Sequence, residues 1–167
     1  IILGPRQAGK TTLVRNILEK KNDVLMVSGD DADVRQILSS NRLTELKRLI
    51  AKNKILFIDE AQRIPDIGIS MKLIIDNLPD VHLIATGSSA FELSNKLNEP
   101  LTGRKFEYLL MPISIEELVG YSGYVNAKST LNERLIYGMY PEVITHHGME
   151  IENLKNICES YLYKDLF

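Results

Sequence analysis

Gly4-Pro5-Arg6-Gln7-Ala8-Gly9-Lys10-Thr11 is the stretch from which the rest of the 167-residue chain is read. An apolar run, Ile1-Ile2-Leu3, precedes it, and Leu13, Val14, Ile17 and Leu18 follow at helical spacing. The context is strand, loop, helix, and the spacing is G-x-x-x-x-G-K-[ST]. Gly4 and Gly9 let the backbone turn tightly and aim N–H groups inward, and the helix N-terminus behind them favours an anion. Lys10 is placed to reach the β- and γ-phosphates of a nucleotide, Thr11 to complete a Mg²⁺ shell with its hydroxyl, and Thr12 to touch the α-phosphate. Pro5, Arg6, Gln7 and Ala8 complete the cradle, with the Arg6 side chain expected to face solvent. A glycine-rich turn that matches by chance is the plain alternative; the flanking strand and helix argue against it.

Working outward, four more apolar runs alternate with helical patterns. Val24–Val27 reads as a second strand, Ile55–Ile58 as a third, Val81–Ala85 as a fourth and Lys105–Leu110 as a fifth. Helices are expected over 32–40, from about Thr44, around Met71–Leu78, and over 90–97. Strands that are apolar throughout and alternate with helices imply a parallel sheet covered on both faces. Ligands on such sheets sit at the carboxyl ends of the strands, where each polar cluster falls.

Asp59-Glu60 ends the third strand. Beside a phosphate loop, Asp59 would support the Mg²⁺ shell and Glu60 would polarise the attacking water. Ser88, at the end of the fourth strand, would orient that water or contact the γ-phosphate, with Thr86 and Ser89 as neighbours of the same kind; a capped turn is the plainer reading. Arg104, just before the fifth strand, would reach a neighbouring subunit's γ-phosphate; a surface ion pair is the alternative. Arg63 is a weaker candidate in an exposed loop.

Beyond a boundary placed near Met111 the chain changes character. Ile113–Val119 reads as a helix capped by Ser114 and Glu117, Gly120–Tyr124 as a loop, and 130–139 and 150–166 as helices. Residues 1–111 thus form a nucleotide-binding core and 112–167 a small helical subdomain. Tyr140-Pro141 offers an apolar wall for a purine, or simply a helix stop. His146 and His147 have no ligand-spaced partners and read as a polar connection. Lys47, Arg48 and Lys52 form a basic face, read as solvated, with nucleic-acid contact as the alternative.

Net charge is −2, with 44% hydrophobic and 25% charged residues, as in ordinary globular proteins. No global field draws nucleic acid. Residues 1–60 hold eleven Lys/Arg against eight Asp/Glu, and the remainder nine against fourteen, so only a modest local basic face is available. Cys158, the sole cysteine, rules out an internal disulfide and is expected to pack inside a helix. The sequence contains no bilayer-spanning apolar run and no signal peptide, pointing to a cytoplasmic location. It opens inside a strand and closes inside a helix, as a trimmed segment would.

These motifs in this order resemble the AAA+ ATPases. Gly4–Thr11 resembles Walker A, Ile55–Glu60 Walker B, Ser88 the sensor-1 position and Arg104 the arginine finger. More narrowly, GPRQAGKTTL, LFIDEAQRIP, LIATGSSA, LTGRKFEYLLMPIS and YGMYPEVI resemble a prokaryotic group of predicted AAA-domain ATPases with a C-terminal domain of unknown function. The resemblance implies ATP and Mg²⁺, a five-stranded parallel sheet in the order 5-1-4-3-2 and a helical lid. It also implies a homo-oligomer in which Arg104 acts in trans on a neighbour's γ-phosphate, and a protein client that the sequence does not identify. Two departures stand out. Arg134 is only a weak match to a lid arginine, and Gly138-Met139-Tyr140-Pro141 is one residue longer than the Gly-x-Pro turn of the related STAND-type ATPases.

The resulting expectation is an Mg²⁺-dependent ATP hydrolase module. A nucleotide-operated switch with little turnover is the second reading. A small-molecule kinase fits less well, because residues 112–167 contain one arginine where an arginine-rich lid would be needed.

Overall fold

A computed structural model describes residues 1–88 and 100–165 of the chain. Its elements, in order, are β1 (Ile2–Leu3), α1 (Lys10–Leu18), β2 (Val24–Ser28), α2 (Ala32–Ser39), α3 (Leu43–Ile50) and β3 (Ile55–Asp59). A single 3-10 turn (Ala61–Arg63) leads to α4 (Ile67–Asn77), β4 (His82–Gly87) and β5 (Tyr108–Leu109). Helices α5 (Ile115–Ser122), α6 (Tyr124–Ser129), α7 (Leu131–Tyr137), α8 (Pro141–Thr145) and α9 (Glu150–Asp165) follow. The helix expected over 90–97, together with Ser89, lies outside the described residues.

The five strands form one sheet in the order β2-β3-β4-β1-β5, and each neighbouring pair is parallel. This is the 5-1-4-3-2 order that the resemblance implies, and it defines an α/β sandwich of the phosphate-loop NTPase type.

Strand β3 shows why an all-apolar run is needed at the centre of such a sheet. Successive side chains point to opposite faces. Leu56 and Ile58 enter a core with Leu38, Leu46, Ile50, Ile67, Met71 and Ile74 from α2, α3 and α4. Phe57 points the other way and packs with Val14 and Leu18 of α1. Both faces are dry, so no position on β3 can be polar until the strand ends at Asp59.

The chain divides into two compact units, Ile1–Gly4 with Lys10–Leu109, and Pro5–Gly9 with Leu110–Phe167. Loop residues 5–9 are thus grouped with the helical unit. Within that unit a hypothetical Cβ on Gly9 would stand 4.0 Å from the Pro141 side chain. The helical unit has its own small core of Leu118, Ala127 and Ile144, with Ile113, Val119 and Met139 against it.

Several local expectations are corrected. The fifth strand is only Tyr108–Leu109 rather than Lys105–Leu110, because it is an edge strand paired with a two-residue β1. Gly120, Tyr121 and Ser122 are helical rather than loop. The break falls at Gly123, whose φ of 82° suits glycine, and a helix that the sequence did not signal, α6, starts at once. The Ser114–Glu117 capping box is present on α5. Cys158 is exposed, not packed; the buried position on that turn of α9 belongs to Ile157.

Candidate functional site

The loop after β1 owes its shape to backbone angles that side chains rarely adopt. Gly9 has φ 93° and Gln7 φ 60°, and α1 begins directly afterwards at Lys10. The first amides of α1 have no partner within the helix, so they form a positively polarised rim. Lys10 is 5% exposed, and its Nζ donates to the Gly4 carbonyl at 2.9 Å. The ammonium is thus buried and folded back onto the residue that opens the loop. Arg6 is half-buried, which corrects the expectation that it faces solvent, while Gln7 and Thr12 are exposed.

At the second position of α1, the Thr11 hydroxyl donates to both carboxylate oxygens of Asp59, at 3.0 and 2.9 Å. Thr86, fully buried on β4, donates its own hydroxyl to Asp59 Oδ1. The backbone N–H of Glu60 in turn donates to Thr86 Oγ1 at 3.3 Å. The hydroxyl and carboxylate named as Mg²⁺ ligands in the sequence therefore lie side by side. Their hard oxygens fit that cation. Thr86, noted only as a neighbour of Ser88, anchors Asp59.

Glu60 occupies the left-handed region at φ 50°, ψ 44°, a conformation that is costly for a residue with a Cβ. The surrounding chain holds it there. Gly29, after β2, donates its N–H to the Asp59 carbonyl at 2.8 Å. A Cβ on Gly29 would come within 2.4 Å of the Glu60 carbonyl oxygen. The side chain of Glu60 meets a residue that sequence reasoning missed. Gln62 is 5% exposed, and its Nε2 donates to Glu60 Oε2 at 2.5 Å and to Ser88 Oγ at 2.9 Å. Ser88 Oγ also lies 3.4 Å from Glu60 Oε2 as a donor. Thr86 and Ser88 are two residues apart along the same strand direction, which turns both hydroxyls to one side. Thr86 serves Asp59 and Ser88 serves Glu60.

Other candidates are not brought to this group. Arg104 precedes β5, at the amino end of the sheet, and pairs with Asp76 at 2.6 Å in the last turn of α4. Strand β4 alone separates the two ends by about 20 Å. Arg63 pairs with Asp30 at 2.7 Å. Arg134 is buried in the helical unit against the Val143 carbonyl and Glu133. Pro141 opens α8 behind a Gly138 with φ 79°. His146 takes a local contact with Thr145, and Lys47, Arg48 and Lys52 are exposed. Among the described residues no helix is long and apolar enough to cross a membrane.

A parallel sheet with a glycine-bearing loop after β1 and an acidic pair at the end of β3, one strand removed across β4, defines the class as an AAA-type P-loop ATPase domain. The family model described as AAA domain matches residues 1–119, and the chain belongs to that family. It is also similar to an uncharacterized protein of Mycobacterium bovis and to one of Mycobacterium tuberculosis. Each is 30% identical over 106 residues, covering 62% of this chain and 23% of the relative. The chain thus spans less than a quarter of the length of those relatives.

Proposed function

We propose that this domain binds ATP with Mg²⁺ and hydrolyses it to ADP and phosphate, using the cycle to drive or switch an interaction with a client. The observation that carries the reading is the Thr11–Asp59 pair at 2.9–3.0 Å next to the buried Lys10 and followed directly by Glu60. Gly4–Thr12 would cradle the phosphates, with Lys10 on the β- and γ-phosphates. Thr11 would ligate the metal directly and Asp59 through water. Bound there, Mg²⁺ would neutralise charge on the phosphates. Among the described residues no three His, Cys, Asp or Glu side chains converge, so the cation would draw its remaining ligands from phosphate and water, as Mg²⁺ usually does. Glu60 would take a proton from the attacking water and Ser88 would orient that water.

Arg104 is the proposed finger, acting on a second copy of the chain in a homo-oligomer. Its distance from its own Lys10 supports action in trans. Releasing it from the exposed Asp76 pair costs about 1 kcal/mol or less, which a γ-phosphate contact would offset. The likeness to the prokaryotic group with a further C-terminal domain, and the greater length of the curated relatives, support a client contacted outside the ATPase domain. We place the protein in the cytoplasm, with no membrane role; nucleic-acid contact is not indicated and stays open for the exposed Lys47, Arg48 and Lys52 face.

Turnover of Mg²⁺-ATP by the parent, Lys10→Ala and Glu60→Gln tests the assignment. Lys10→Ala is expected to lose nucleotide binding, and Glu60→Gln to retain ATP while kcat falls about 100-fold or more. Glu60→Gln turning over at the parent rate would overturn the base assignment. A rate per chain that rises steeply with protein concentration would support trans action by Arg104, and a flat, very slow rate the switch.

A further inference from the structure

The backbone of Glu60 is pinned by its left-handed conformation and by Gly29. Its side chain still has three torsions, so a pinned backbone alone does not aim the carboxylate. The amide of Gln62 supplies what is missing. It has two N–H bonds and no charge, and it spends one on Glu60 Oε2 and the other on Ser88 Oγ. A glutamate in its place would repel Glu60, and an apolar residue would hold neither oxygen. The short 3-10 turn that carries Gln62 keeps it two residues from Glu60, with Ala61 and Ile64 buried on either side.

We propose that Gln62 is a positioning residue that clamps the Glu60 carboxylate and the Ser88 hydroxyl to each other. The water-activating group and the phosphate-facing hydroxyl then move as one unit. This deepens, and for its kinetic consequence rests on, the ATPase reading above. One oxygen of Glu60 is held by the clamp and the other is left to receive the proton from water. A γ-phosphate that engages Ser88 would be felt by Glu60 through that amide and through the longer direct Ser88–Glu60 contact.

Two measurements on the full chain test it. In ¹⁵N-labelled protein, the two side-chain amide protons of Gln62 are expected to give separate resonances. Glu60→Ala should displace one and Ser88→Ala the other. If neither variant moves them, the clamp is wrong, whether or not the protein hydrolyses ATP. In steady-state Mg²⁺-ATP hydrolysis, Gln62→Met, of similar length but without donors, is expected to lower kcat about 10- to 100-fold. KM and the affinity for a fluorescent ATP analogue should stay within about threefold of the parent. Gln62→Asn, which keeps the amide on a shorter arm, should recover part of the rate. An unchanged or raised kcat in Gln62→Met overturns the positioning role. So does a joint loss of nucleotide affinity and thermal midpoint, which would mark a purely structural residue. A parent with no turnover refutes the hydrolysis reading alone, and the amide resonances still decide the clamp.

Discussion

At the carboxyl ends of β3 and β4, polar side chains are shared and shielded. Thr86 has no exposed surface and serves both Asp59 and the Glu60 amide, and Gln62 bridges Glu60 and Ser88. At the amino end of the same sheet, Arg104 and Asp76 form a single ion pair with 44% and 37% of their side chains exposed. The first arrangement is a part-buried network anchored on the buried Thr86 and Gln62, in which each member leaves another unsatisfied if removed. The second is a contact that water can replace. The physical contrast matches the proposed division of labour: geometry that must be fixed before a substrate arrives, against a group that must let go of its partner to act elsewhere.

Thr86→Val keeps the shape of the side chain and removes the hydroxyl, so it is the hardest blow to the shielded end. It takes a donor from a carboxylate and an acceptor from a buried amide, and is expected to cost about 3 kcal/mol, read as a shift in the urea midpoint. A cost below about 0.5 kcal/mol would mean the network is no more demanding than the exposed pair. Gly29→Ala tests the same end through the backbone. With the Glu60 carbonyl in the way, about 2 kcal/mol of destabilisation is expected, with loss of the proposed turnover before loss of nucleotide binding. A variant as stable and active as the parent would show that β2 and β3 separate easily. Asp76→Ala is the smallest effect, below about 1 kcal/mol, and its direction sharpens the contrast. Stability should barely move, whereas activity at high protein concentration should hold or rise as Arg104 is released. A large loss of stability would make the amino end a structural anchor.

The sheet could be read from the chain because β3 is buried on both faces, and a strand in that position has no choice but Ile-Leu-Phe-Ile. The same burial forces the first polar residues, Asp59 and Glu60, to the strand end, so the acidic pair was visible too. Strand β5 was overestimated because its apolar residues face solvent: Phe106, Tyr108 and Leu109 are all exposed, and exposure carries no period. In the helical unit Tyr121, Tyr124 and Val125 are exposed as well, which blurs the helical stripe and hid both the end of α5 and the start of α6. Cys158 was misjudged because thiols are so often buried, but Ile157 holds the inward position. Gln62 gave no signal of its own. A neutral amide in a three-residue turn has no periodicity and no charge, and its role exists only because β3 and β4 bring Glu60 and Ser88 to either side of it.

The left-handed backbone at Glu60 bears on how this domain would respond to laboratory selection. That conformation costs glutamate about 1–2 kcal/mol relative to a residue at ease there, a penalty glycine escapes. Glu60→Gly would recover that penalty but leave the buried Gln62 amide short of a partner, so the two effects offset in stability while, on the proposed reading, the variant is inert. Thermal ranking and catalytic ranking would diverge at this one codon, so any campaign to harden the domain needs an activity gate from its first round.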